Sequence, residues 1–510
     1  MSQFDFGSAA GCAERLCLSA PDYDARAARL SLAAQKREVS RSRGKPEAFR
    51  TSGGGAEVSV WVQILLELKL GTPHSSCDLA SWCLRGHGLR LTNERSSLES
   101  HPLLNSRTSR MNKPEARLWS VDKPVRESYL VFGSPQLLEP EIEEVVATLR
   151  SGWIGTGPRV AAFESEFREY VGAKHAVAVH SCTAALHLSM IAIGLESGDE
   201  VIVPSMTFAS TANAVIHAGG KPVLADVNRD TMCLDPEDLK RRISPRTRAV
   251  IPVHFAGRAC DMDAIGEVAL LLRLYVIEDC AHAIETLHHG RHTGTLGDFG
   301  AFSFYVTKNV VTGEGGMITT ANESWAARIK TLALHGLSAD AWKRFSDEGF
   351  KHYEVTEPGF KYNMMDLQAA LGLHQLRRVE ENLARREEIW KRYDEAFADL
   401  PAFLPAPAEQ GTRHARHLYT LLLDIDRLRV DRDGIQLSLH RQGIGTGVHY
   451  RAVHLHQYYQ KAFGYSRGDF PNAEWISDRT LSLPLSPKLT YADVDDVIFA
   501  VRHTLEHFAR

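Results

Sequence analysis

The stretch GAFSFYVTKN at residues 300–309, followed by GEGG at residues 313–316, is the part of the sequence from which the fold can be argued. An apolar, β-prone run ends shortly before Lys308, and a glycine-rich turn comes directly after it. Lysine is rarely buried without a partner. A lysine carried by a core strand into a loop suits an amine in a partly desolvated pocket, where it can form a Schiff base with an aldehyde or ketone. The alternative is a strand-ending lysine that simply reaches solvent.

Short apolar runs alternate with helical patterns on the N-terminal side of this stretch. Short strands that are apolar throughout and separated by helices predict an α/β fold with a mostly parallel sheet covered by helices on both faces. Ligand sites in such sheets gather at the carboxyl ends of the strands. The predicted strands are His175–His180, Glu200–Pro204, Pro222–Asp226, Ala249–His254, Tyr275–Glu278 and Gly300–Tyr305.

The pattern divides the chain into three parts. Residues 1–110 carry 15 Lys and Arg against 11 Asp and Glu, whereas the remaining 400 residues carry 44 against 52. We interpret residues 1–110 as an extension outside the working protein, with Met111 as its start; a small accessory domain or a transit peptide are the alternatives. Residues 111–365 are predicted to form the large domain. Residues 366–510 form a smaller α+β domain, which begins with one long helix over Asp366–Phe397.

Composition excludes several classes of function. The net charge is −4, with 44% hydrophobic and 24% charged residues, so nothing points to nucleic acid or to a membrane surface. The beginning of the chain lacks the basic and apolar regions of a secretory signal. The eight cysteines show no paired metal-ligand spacing. We expect a cytoplasmic protein with reduced thiols and no metal.

The sequence VAVHSCTAAL at residues 177–186 predicts a strand, a polar turn and the start of a helix. Free backbone amides and the helix dipole make such a start, at Cys182 and Thr183, a candidate phosphate site. An ordinary capped helix would show the same pattern.

The sequence VIEDCAHA at residues 276–283 places Asp279 at the end of a buried strand. An unpaired carboxylate there would be costly, so it should face a cation or a donor. A protonated pyridine nitrogen would serve, since an aspartate keeps such a ring an electron sink. Asp279 could instead cap the next helix, and His282 could bind a cofactor oxygen or be a satisfied core histidine.

Two further side chains complete the pattern. Phe208, just past a strand end, can stack on a flat heterocycle, although core packing is the usual place of such a residue. Ser303 offers a hydroxyl five residues before Lys308. A phosphate site, a pyridinium partner, a ring stacker and a Schiff-base lysine together indicate one cofactor, pyridoxal 5′-phosphate.

Residues 128–508 resemble the DegT/DnrJ/EryC1/StrS sugar aminotransferases, which belong to the fold-type I pyridoxal phosphate enzymes. The resemblance lies in GDEVIVP at 198–204, EDCAHA at 278–283, FSF at 302–304 with Lys308 and GEGG, GFKYN at 359–363, QAALG at 368–372 and SLPL at 482–485. It implies that Lys308 holds the cofactor and acts as general acid and base, and that Asp279 pairs with the ring nitrogen. It also implies that Phe208 stacks on the ring and that Ser303 and the Cys182–Thr183 amides hold the phosphate.

Two positions depart from the family pattern. Many members have Gln where this chain has His282, at the position that contacts the ring hydroxyl of the cofactor. Many have Asn in place of Lys361, in a loop that reaches the partner subunit's phosphate. A lysine can still pair with phosphate as a point charge.

Within the family, GIGTGVHYRAVH at residues 443–454 is most similar to the UDP-4-amino-4-deoxy-L-arabinose–oxoglutarate aminotransferases. GFKYN and HGLSADAW, at residues 335–342, add to this resemblance. It implies that His449 lies close to the sugar nucleotide and to the cofactor. It also implies a homodimer with shared active sites.

The predicted reaction is transfer of the amino group of L-glutamate to the 4-keto carbon of a nucleotide sugar, with a UDP-4-keto-pentose as acceptor and 2-oxoglutarate as product. The product sugar would serve lipopolysaccharide or lipid A modification. Four alternatives are an aminotransferase for a nucleotide-linked 4-keto-6-deoxyhexose, a non-catalytic regulator that retains the fold, an amino-acid aminotransferase and a sugar 3-dehydratase. The dehydratases replace this lysine with histidine, so Lys308 argues against that activity.

Overall fold

The structure of the protein is a computed structural model that describes residues 124–338 and 353–510. The predicted extension over residues 1–110, the start at Met111 and part of the HGLSADAW motif lie outside the described residues. The elements up to residue 338 are α1 (Glu139–Ser151), α2 (Pro158–Val171), β1 (His175–Val179), α3 (Cys182–Ala192), β2 (Glu200–Pro204), α4 (Ala209–His217), β3 (Lys221–Ala225), α5 (Pro236–Arg242), β4 (Thr247–Val250), α6 (Met262–Leu272), β5 (Tyr275–Asp279), β6 (Leu287–His288), β7 (Arg291–His292), β8 (Phe299–Ser303), β9 (Gly316–Thr320) and α7 (Glu323–Ala333).

The central sheet of the described chain has seven strands in the order β1-β9-β8-β5-β4-β2-β3. β9 runs antiparallel to both of its neighbours, β1 and β8, and the other neighbouring pairs are parallel. The predicted α/β fold with a mostly parallel sheet is confirmed. Because six strands point the same way, their carboxyl ends lie along one edge of the sheet.

Helices cover both faces of this sheet, as β1 illustrates. Val177 and Val179 belong to the core on one face, while Ala176 and Ala178 belong to the core on the other. Successive side chains of a strand point to opposite faces, so a strand buried on both faces reads as a continuous apolar run. This is why the strands were visible in the sequence.

The second face of the sheet is built on aromatic contacts with α2. Phe163 packs edge-on against Phe304 with ring centroids 5.1 Å apart, and Phe167 packs against Phe302 at 4.9 Å. The two phenylalanines of the FSF motif are therefore core residues, and Ser303 between them points to the opposite side of the strand. The motif anchors the strand that precedes Lys308.

Local capping defines several helix ends. Asp261 precedes α6, and its side chain accepts a hydrogen bond from the Ala264 amide at 3.0 Å. Such an N-cap stabilises a helix by about 1 kcal/mol. Gly172 ends α2 in the left-handed conformation with φ of 68°, which glycine adopts without steric cost.

The C-terminal segment has a sheet and a core of its own. The strands Ala402–Phe403, Tyr419–Leu423 and Thr480–Leu483 form an antiparallel sheet in that order. The two longest helices of this segment pack together on one side. No described helix of the protein is both long and apolar enough to cross a membrane. The elements are α8 (Asp366–Arg377), α9 (Val379–Phe397), β10 (Ala402–Phe403), β11 (Thr412–Arg413), β12 (Tyr419–Leu423), α10 (Arg432–Arg441), α11 (Gln457–Phe463), α12 (Pro471–Arg479), β13 (Thr480–Leu483) and α13 (Tyr491–Phe508).

The prediction of one helix over Asp366–Phe397 is wrong, because the helix breaks at Arg378. That residue has φ of −110° and ψ of 14°, and its guanidinium is held by Glu141 of α1 at 2.6 Å. α8 packs on α1 and α2, whereas α9 packs on α13. One straight helix could not present its apolar face to both cores. No proline or glycine marks the break, so the sequence pattern did not reveal it.

Candidate functional site

A cavity of about 520 Å³ opens at the edge of the sheet where the parallel strands end. Segments that follow β1, β2, β5 and β8 line it, as expected for ligand sites of parallel sheets. Eight of the nine residues predicted from the sequence line this one cavity: Cys182, Thr183, Phe208, Asp279, His282, Ser303, Lys308 and His449. Residues as far apart in the chain as Cys182 and His449 are thus brought to one place.

Lys308 lies in the loop between β8 and β9. The base of this loop is tied by hydrogen bonds between Phe304 and Gly315 and between Thr312 and Phe304, each 2.9 Å long. The Lys308 side chain is half-buried and borders the cavity. Burial lowers its pKa to about 8, with a smaller opposing effect of Cys182 and Asp279. An amine with this pKa is partly neutral near pH 7 and can act as a nucleophile and as a base.

Asp279 ends β5 and is 4% exposed. Its Oδ2 accepts a hydrogen bond from the Thr211 hydroxyl at 2.9 Å, and its Oδ1 accepts one from the Ala281 amide at 3.1 Å. Burial raises the pKa of this carboxyl group, and the two hydrogen bonds act against that rise. Within the described residues it forms no ion pair. A cationic ring nitrogen in the cavity can satisfy it, so this residue fits the predicted cofactor.

The start of α3 lies against the start of β9. Ser181 caps α3 by accepting a hydrogen bond from the Ala184 amide at 3.1 Å. A Cβ atom on Gly316 would lie 2.5 Å from the Ser181 carbonyl carbon and 2.7 Å from the Cys182 nitrogen. Only glycine allows this approach. It brings the first amides of α3 beside the loop that carries Lys308, where they can bind a phosphate.

Ser303 occupies the same row of the sheet as these residues. Val179 pairs with Gly316, and Gly316 pairs with Ser303, so the three lie side by side across β1, β9 and β8. The Ser303 hydroxyl borders the cavity next to the α3 amides. Among the described residues this oxygen has one hydrogen bond, a long one of 3.5 Å that it accepts from the Tyr305 amide. The hydroxyl proton can therefore be donated to a phosphate.

Phe208 and Tyr450 form an aromatic wall of the cavity. Phe208 precedes α4 and is 60% exposed, which is unusual for a residue that follows a buried strand. Its ring lies 5.8 Å from that of Tyr450. An exposed aromatic face inside a cavity is available for stacking on a flat ring.

His282 is buried beside this wall. Its Nδ1 accepts a hydrogen bond from the Ala256 amide at 3.2 Å, and its Nε2 lies 3.1 Å from the Tyr450 hydroxyl. Burial lowers its pKa well below the ordinary value, and Lys308, His417 and His449 lower it further. His282 is therefore neutral near pH 7, which makes it a hydrogen-bonding group rather than a charge.

His449 reaches the cavity from the C-terminal segment. Its Nδ1 lies 2.9 Å from the Ser482 hydroxyl of β13, and its ring lies 5.3 Å from that of Phe132. Burial lowers its pKa to about 4, with a further contribution from Lys308. The cavity is thus closed by parts of the chain that precede α1 and follow α10.

Lys361 does not line this cavity. Its side chain is exposed, and its backbone forms an isolated bridge with Leu334. The prediction that it reaches a phosphate concerned the partner subunit, and the single chain does not test it.

Sequence reasoning missed three residues of the site: Thr211, His417 and Tyr450. Thr211 lies one turn after Phe208 and is fully buried in α4. Tyr450 directly follows His449. For Thr211 and Tyr450, the available signal in the sequence was a predicted site residue close by in the chain. His417 has no predicted site residue near it in the sequence.

His417 is placed by a chain of buried polar groups. Asn309 Nδ2 donates to Glu285 Oε2 at 2.8 Å, so Asn309 Oδ1 faces Nδ1 of His417 at 2.9 Å. Glu285 is in turn paired with the buried Arg386. Because Asn309 Oδ1 can only accept, Nδ1 of His417 donates and its Nε2 is left as an acceptor. The residue after Lys308 is therefore coupled to a buried ion pair.

These features define a class of protein. The described part of the chain brings together a half-buried amine, a buried carboxylate that has no ion-pair partner there, an open aromatic face and a helix start beside a hydroxyl. These groups fit pyridoxal 5′-phosphate and its chemistry. Comparison with known proteins narrows the class. Residues 135–502 match the DegT/DnrJ/EryC1/StrS aminotransferase family, and the chain belongs to it.

Three similar proteins illustrate the family. The spore coat polysaccharide biosynthesis protein SpsC of Bacillus subtilis (strain 168) is 52% identical over 378 residues, which is 74% of this chain and 97% of SpsC. Spr1654 from Streptococcus pneumoniae, solved in its PLP form, is 32% identical with a TM-score of 0.69 and covers 74% of this chain and 99% of its own. PseC from Helicobacter pylori, an aminotransferase of pseudoaminic acid biosynthesis, is 27% identical with a TM-score of 0.69 and covers 75% and 100%.

The predicted enzyme class and cofactor are confirmed. The protein is a pyridoxal phosphate-dependent sugar aminotransferase of fold-type I. The identity of the sugar, the amino donor and the role of each site residue go beyond these comparisons.

Proposed function

We propose that the protein transfers the amino group of L-glutamate to the 4-keto carbon of a nucleotide sugar, with a UDP-4-keto-pentose as acceptor. The observation that carries the proposal is that Lys308, with a pKa of about 8, and the buried Asp279 border one cavity that His449 closes from the C-terminal segment. Transfer of an amino group between two substrates requires a reactive amine, a carboxylate that pairs with the ring nitrogen and a region that binds the second substrate.

Pyridoxal phosphate, when bound, supplies an aldehyde that captures amines and an electron-withdrawing ring. Nζ of Lys308 takes the proton from the donor's α-carbon and delivers one to the acceptor's C4, so it acts first as base and then as acid. Asp279 keeps a positive charge on the ring nitrogen. Phe208 holds the ring plane, and Nε2 of His282 donates to the ring oxygen.

The phosphate is held at the other end of the cavity. The amides of Cys182 and Thr183 donate to it together with the Ser303 hydroxyl. Lys361 of the partner subunit adds a positive charge, which makes the working unit a homodimer with shared sites. The reduced state expected for the cysteines supports the cytoplasm as the compartment.

Support for a sugar acceptor comes from SpsC and PseC. SpsC is a protein of spore coat polysaccharide biosynthesis, and PseC acts in the biosynthesis of pseudoaminic acid. We place this protein in polysaccharide biosynthesis, with lipopolysaccharide or lipid A modification as the destination of the sugar. A nucleotide-linked 4-keto-6-deoxyhexose is the second candidate acceptor. One carbon substituent separates the two acceptors, and a pocket discriminates this by about 1–3 kcal/mol.

The test separates the two halves of the reaction. The holoenzyme is first mixed with glutamate, glutamine, aspartate or alanine, and loss of the visible cofactor absorption is followed. The aminated enzyme is then mixed with UDP-4-keto-pentose, UDP- and dTDP-4-keto-6-deoxyhexoses or 2-oxo acids, and the products are identified by mass. Glutamate and the UDP-4-keto-pentose should have the highest kcat/KM values. A higher value for a hexose would overturn the choice of sugar, and a preference for 2-oxo acids would overturn the sugar function.

His449→Asn provides the internal control. It should weaken the sugar half-reaction much more than the glutamate half-reaction, because His449 is proposed to contact the sugar nucleotide, which takes part only in the second half. Equal losses in both halves would contradict that role.

The shared site has its own test. Lys308→Ala and Lys361→Ala chains, each weakly active alone, are mixed and allowed to exchange subunits. One of the two sites in a mixed dimer then has both lysines, so activity should recover. Absence of recovery in dimers shown to be mixed would contradict the role of Lys361 across the interface.

A further inference from the structure

A cluster of three side chains lies outside the cavity. Asp263 is in the first turn of α6, His288 ends β6, and His289 follows in the turn before β7. Oδ2 of Asp263 lies 3.3 Å from Nε2 of His288 and 3.2 Å from Nε2 of His289. None of the three lines the cavity that contains Lys308.

The backbone brings the two histidines to the same side. Neighbouring side chains of a regular strand point to opposite faces. His289 instead has φ of 48°, in the left-handed region that residues with a side chain rarely adopt. As a result the two imidazole rings lie 4.3 Å apart and both face Asp263.

His288 points to a missing ligand. It is 8% exposed, and within the described residues neither Nδ1 nor Nε2 has a hydrogen-bond partner. The contact of its Nε2 with Asp263 is short enough for an ion pair but lacks the geometry of a hydrogen bond. Buried polar groups without a partner are rare and costly. A bond from Nε2 to a metal ion would satisfy that nitrogen and so remove its share of the cost.

The distances agree with metal coordination. Two ligand atoms at about 2.0–2.1 Å from a tetrahedral Zn²⁺ ion are about 3.3 Å apart. The two Asp263–histidine distances are 3.3 and 3.2 Å, and one ligand atom from each of the three residues lies within 4.8 Å of the others. Two imidazoles and one carboxylate favour a borderline transition metal over Mg²⁺ or Ca²⁺.

A second cluster of possible ligands, His254, Glu278 and Cys280, is different. The Glu278 carboxylate already accepts hydrogen bonds from the amides of Gly294, Leu296 and Gly297, and it is paired with His254. These bonds satisfy the buried carboxylate from within the protein. This cluster is a structural network that leaves no lone pairs for a metal.

We propose that Asp263, His288 and His289 bind one Zn²⁺-class transition metal ion. The ion ties the start of α6 to the β6–β7 hairpin, and its fourth position is open to water because Asp263 and His289 are exposed. A search for paired cysteines does not find this site, since its ligands are histidines and an aspartate from two distant segments. The proposal is independent of the sugar and of the amino donor.

The experiment titrates the full-length holoenzyme, first freed of metal by a chelator, with Zn²⁺ by calorimetry and with Co²⁺ by visible absorption. The chain also has four cysteines in its first 110 residues, so the measurement is a difference between variants. The variants are Asp263→Asn and His288→Gln. The control is His456→Gln, an exposed histidine that precedes α11.

Wild type and the His456→Gln control should bind one more equivalent than either variant, or bind that equivalent at least tenfold more tightly. Co²⁺ at this site should show the visible bands of a four-coordinate ion, and these bands should be lost in Asp263→Asn. Zn²⁺ should raise the melting temperature of wild type more than that of Asp263→Asn. Asp263 is exposed, so this variant keeps its fold even if His288→Gln does not. Equal stoichiometry, affinity and melting shifts in wild type and Asp263→Asn would overturn the proposal.

Discussion

Nε2 of His282 lies 3.1 Å from the hydroxyl of Tyr450. On the opposite side of the ring, Nδ1 accepts a hydrogen bond from the Ala256 amide, so the proton of the neutral ring is on Nε2. The ring stays neutral because burial, followed by Lys308, His417 and His449, lowers its pKa well below the ordinary value. The backbone therefore determines which atom of His282 donates.

The first prediction concerns this donor. His282→Gln retains an N–H group and should keep turnover within about tenfold of wild type, because a neutral hydrogen bond contributes about 0.5–1.5 kcal/mol. His282→Leu has no N–H group, so the ring oxygen of the cofactor is left as a buried acceptor without a donor, which costs about 1–3 kcal/mol. Turnover of this variant should fall by about 10- to 100-fold. Because the ring is neutral, kcat/KM measured from pH 5.5 to 8 should have the same acidic limb in wild type and His282→Gln. An inflection near pH 6.5 that disappears in the variant would contradict a neutral His282.

The second prediction concerns the amine of Lys308 in the cofactor-free protein. Its pKa is lowered to about 8, so the folded state loses this proton about 2.5 pH units before the unfolded chain does. The rate of pyridoxal phosphate capture, followed by absorbance, should rise about tenfold per unit below pH 8 and level off above it, in proportion to the neutral amine. Since the unfolded chain binds more protons from about pH 8 to 10.5, Lys308 should make the free energy of unfolding increase with pH over that range.

Lys308→Ala and Lys391→Ala are the matched variants. Lys391 is on α9 with its side chain 79% exposed, so removing it should change neither capture nor its pH dependence. Lys308→Ala should lose the visible absorption of the bound cofactor and at least about 10³-fold in turnover. Capture by wild type that keeps rising with the same slope to pH 10 would show that the pKa is not lowered.

The third prediction concerns Asp279. Asp279→Asn keeps the shape of the side chain but removes its negative charge. We expect cofactor capture to persist while turnover falls by about 10²- to 10³-fold, because the charge of the ring nitrogen is no longer stabilised. Asp298→Asn is the control, since Asp298 is a carboxyl group whose pKa burial also raises and it accepts a bond from the Val276 amide outside the cavity. Its turnover should stay close to wild type. Similar turnover losses in both variants would assign Asp279 a structural role.

The fourth prediction concerns the ion pair of Glu285 and Arg386, both almost fully buried. Glu285→Gln leaves the guanidinium charge without a partner and should reduce the free energy of unfolding by about 3–5 kcal/mol. Replacing both residues with leucine should reduce the free energy of unfolding by less than the sum of the two single leucine replacements, as measured by denaturant unfolding. Glu395→Gln breaks the exposed pair with Lys391 on α9, the helix that carries Arg386. This change should reduce the free energy of unfolding by at most about 1 kcal/mol. Additive single effects would show that the pair is not energetically coupled.

The strands and the core of the site could be predicted because they depend on local patterns. β2 was predicted with the bounds that the structure shows, and the other predicted strands of the sheet with small shifts. Lys308, Asp279 and Phe208 were found because each follows an apolar run, and parallel strands end at one edge of the sheet.

What the sequence could not show depends on contacts between distant segments. The break at Arg378 coincides with an ion pair to Glu141 of α1, and no proline or glycine marks it. The place of Tyr450 against His282 joins residues 168 positions apart. β9 begins with a glycine whose function is visible only when Ser181 lies against it.

The antiparallel course of β9 has a consequence for the order in which the site forms. β9 pairs with β8 across a loop of residues 304–315 only, whereas its pairing with β1 closes a far longer stretch of chain. Short loops cost less entropy to close, and local pairs tend to form first. We expect hydrogen exchange during refolding to protect the amides of β8 and β9 before those of β1, and simultaneous protection would refute this order. The loop that carries Lys308 would then form before the phosphate site at the start of α3. A folding intermediate would hold the reactive amine without the site that binds the phosphate of its cofactor.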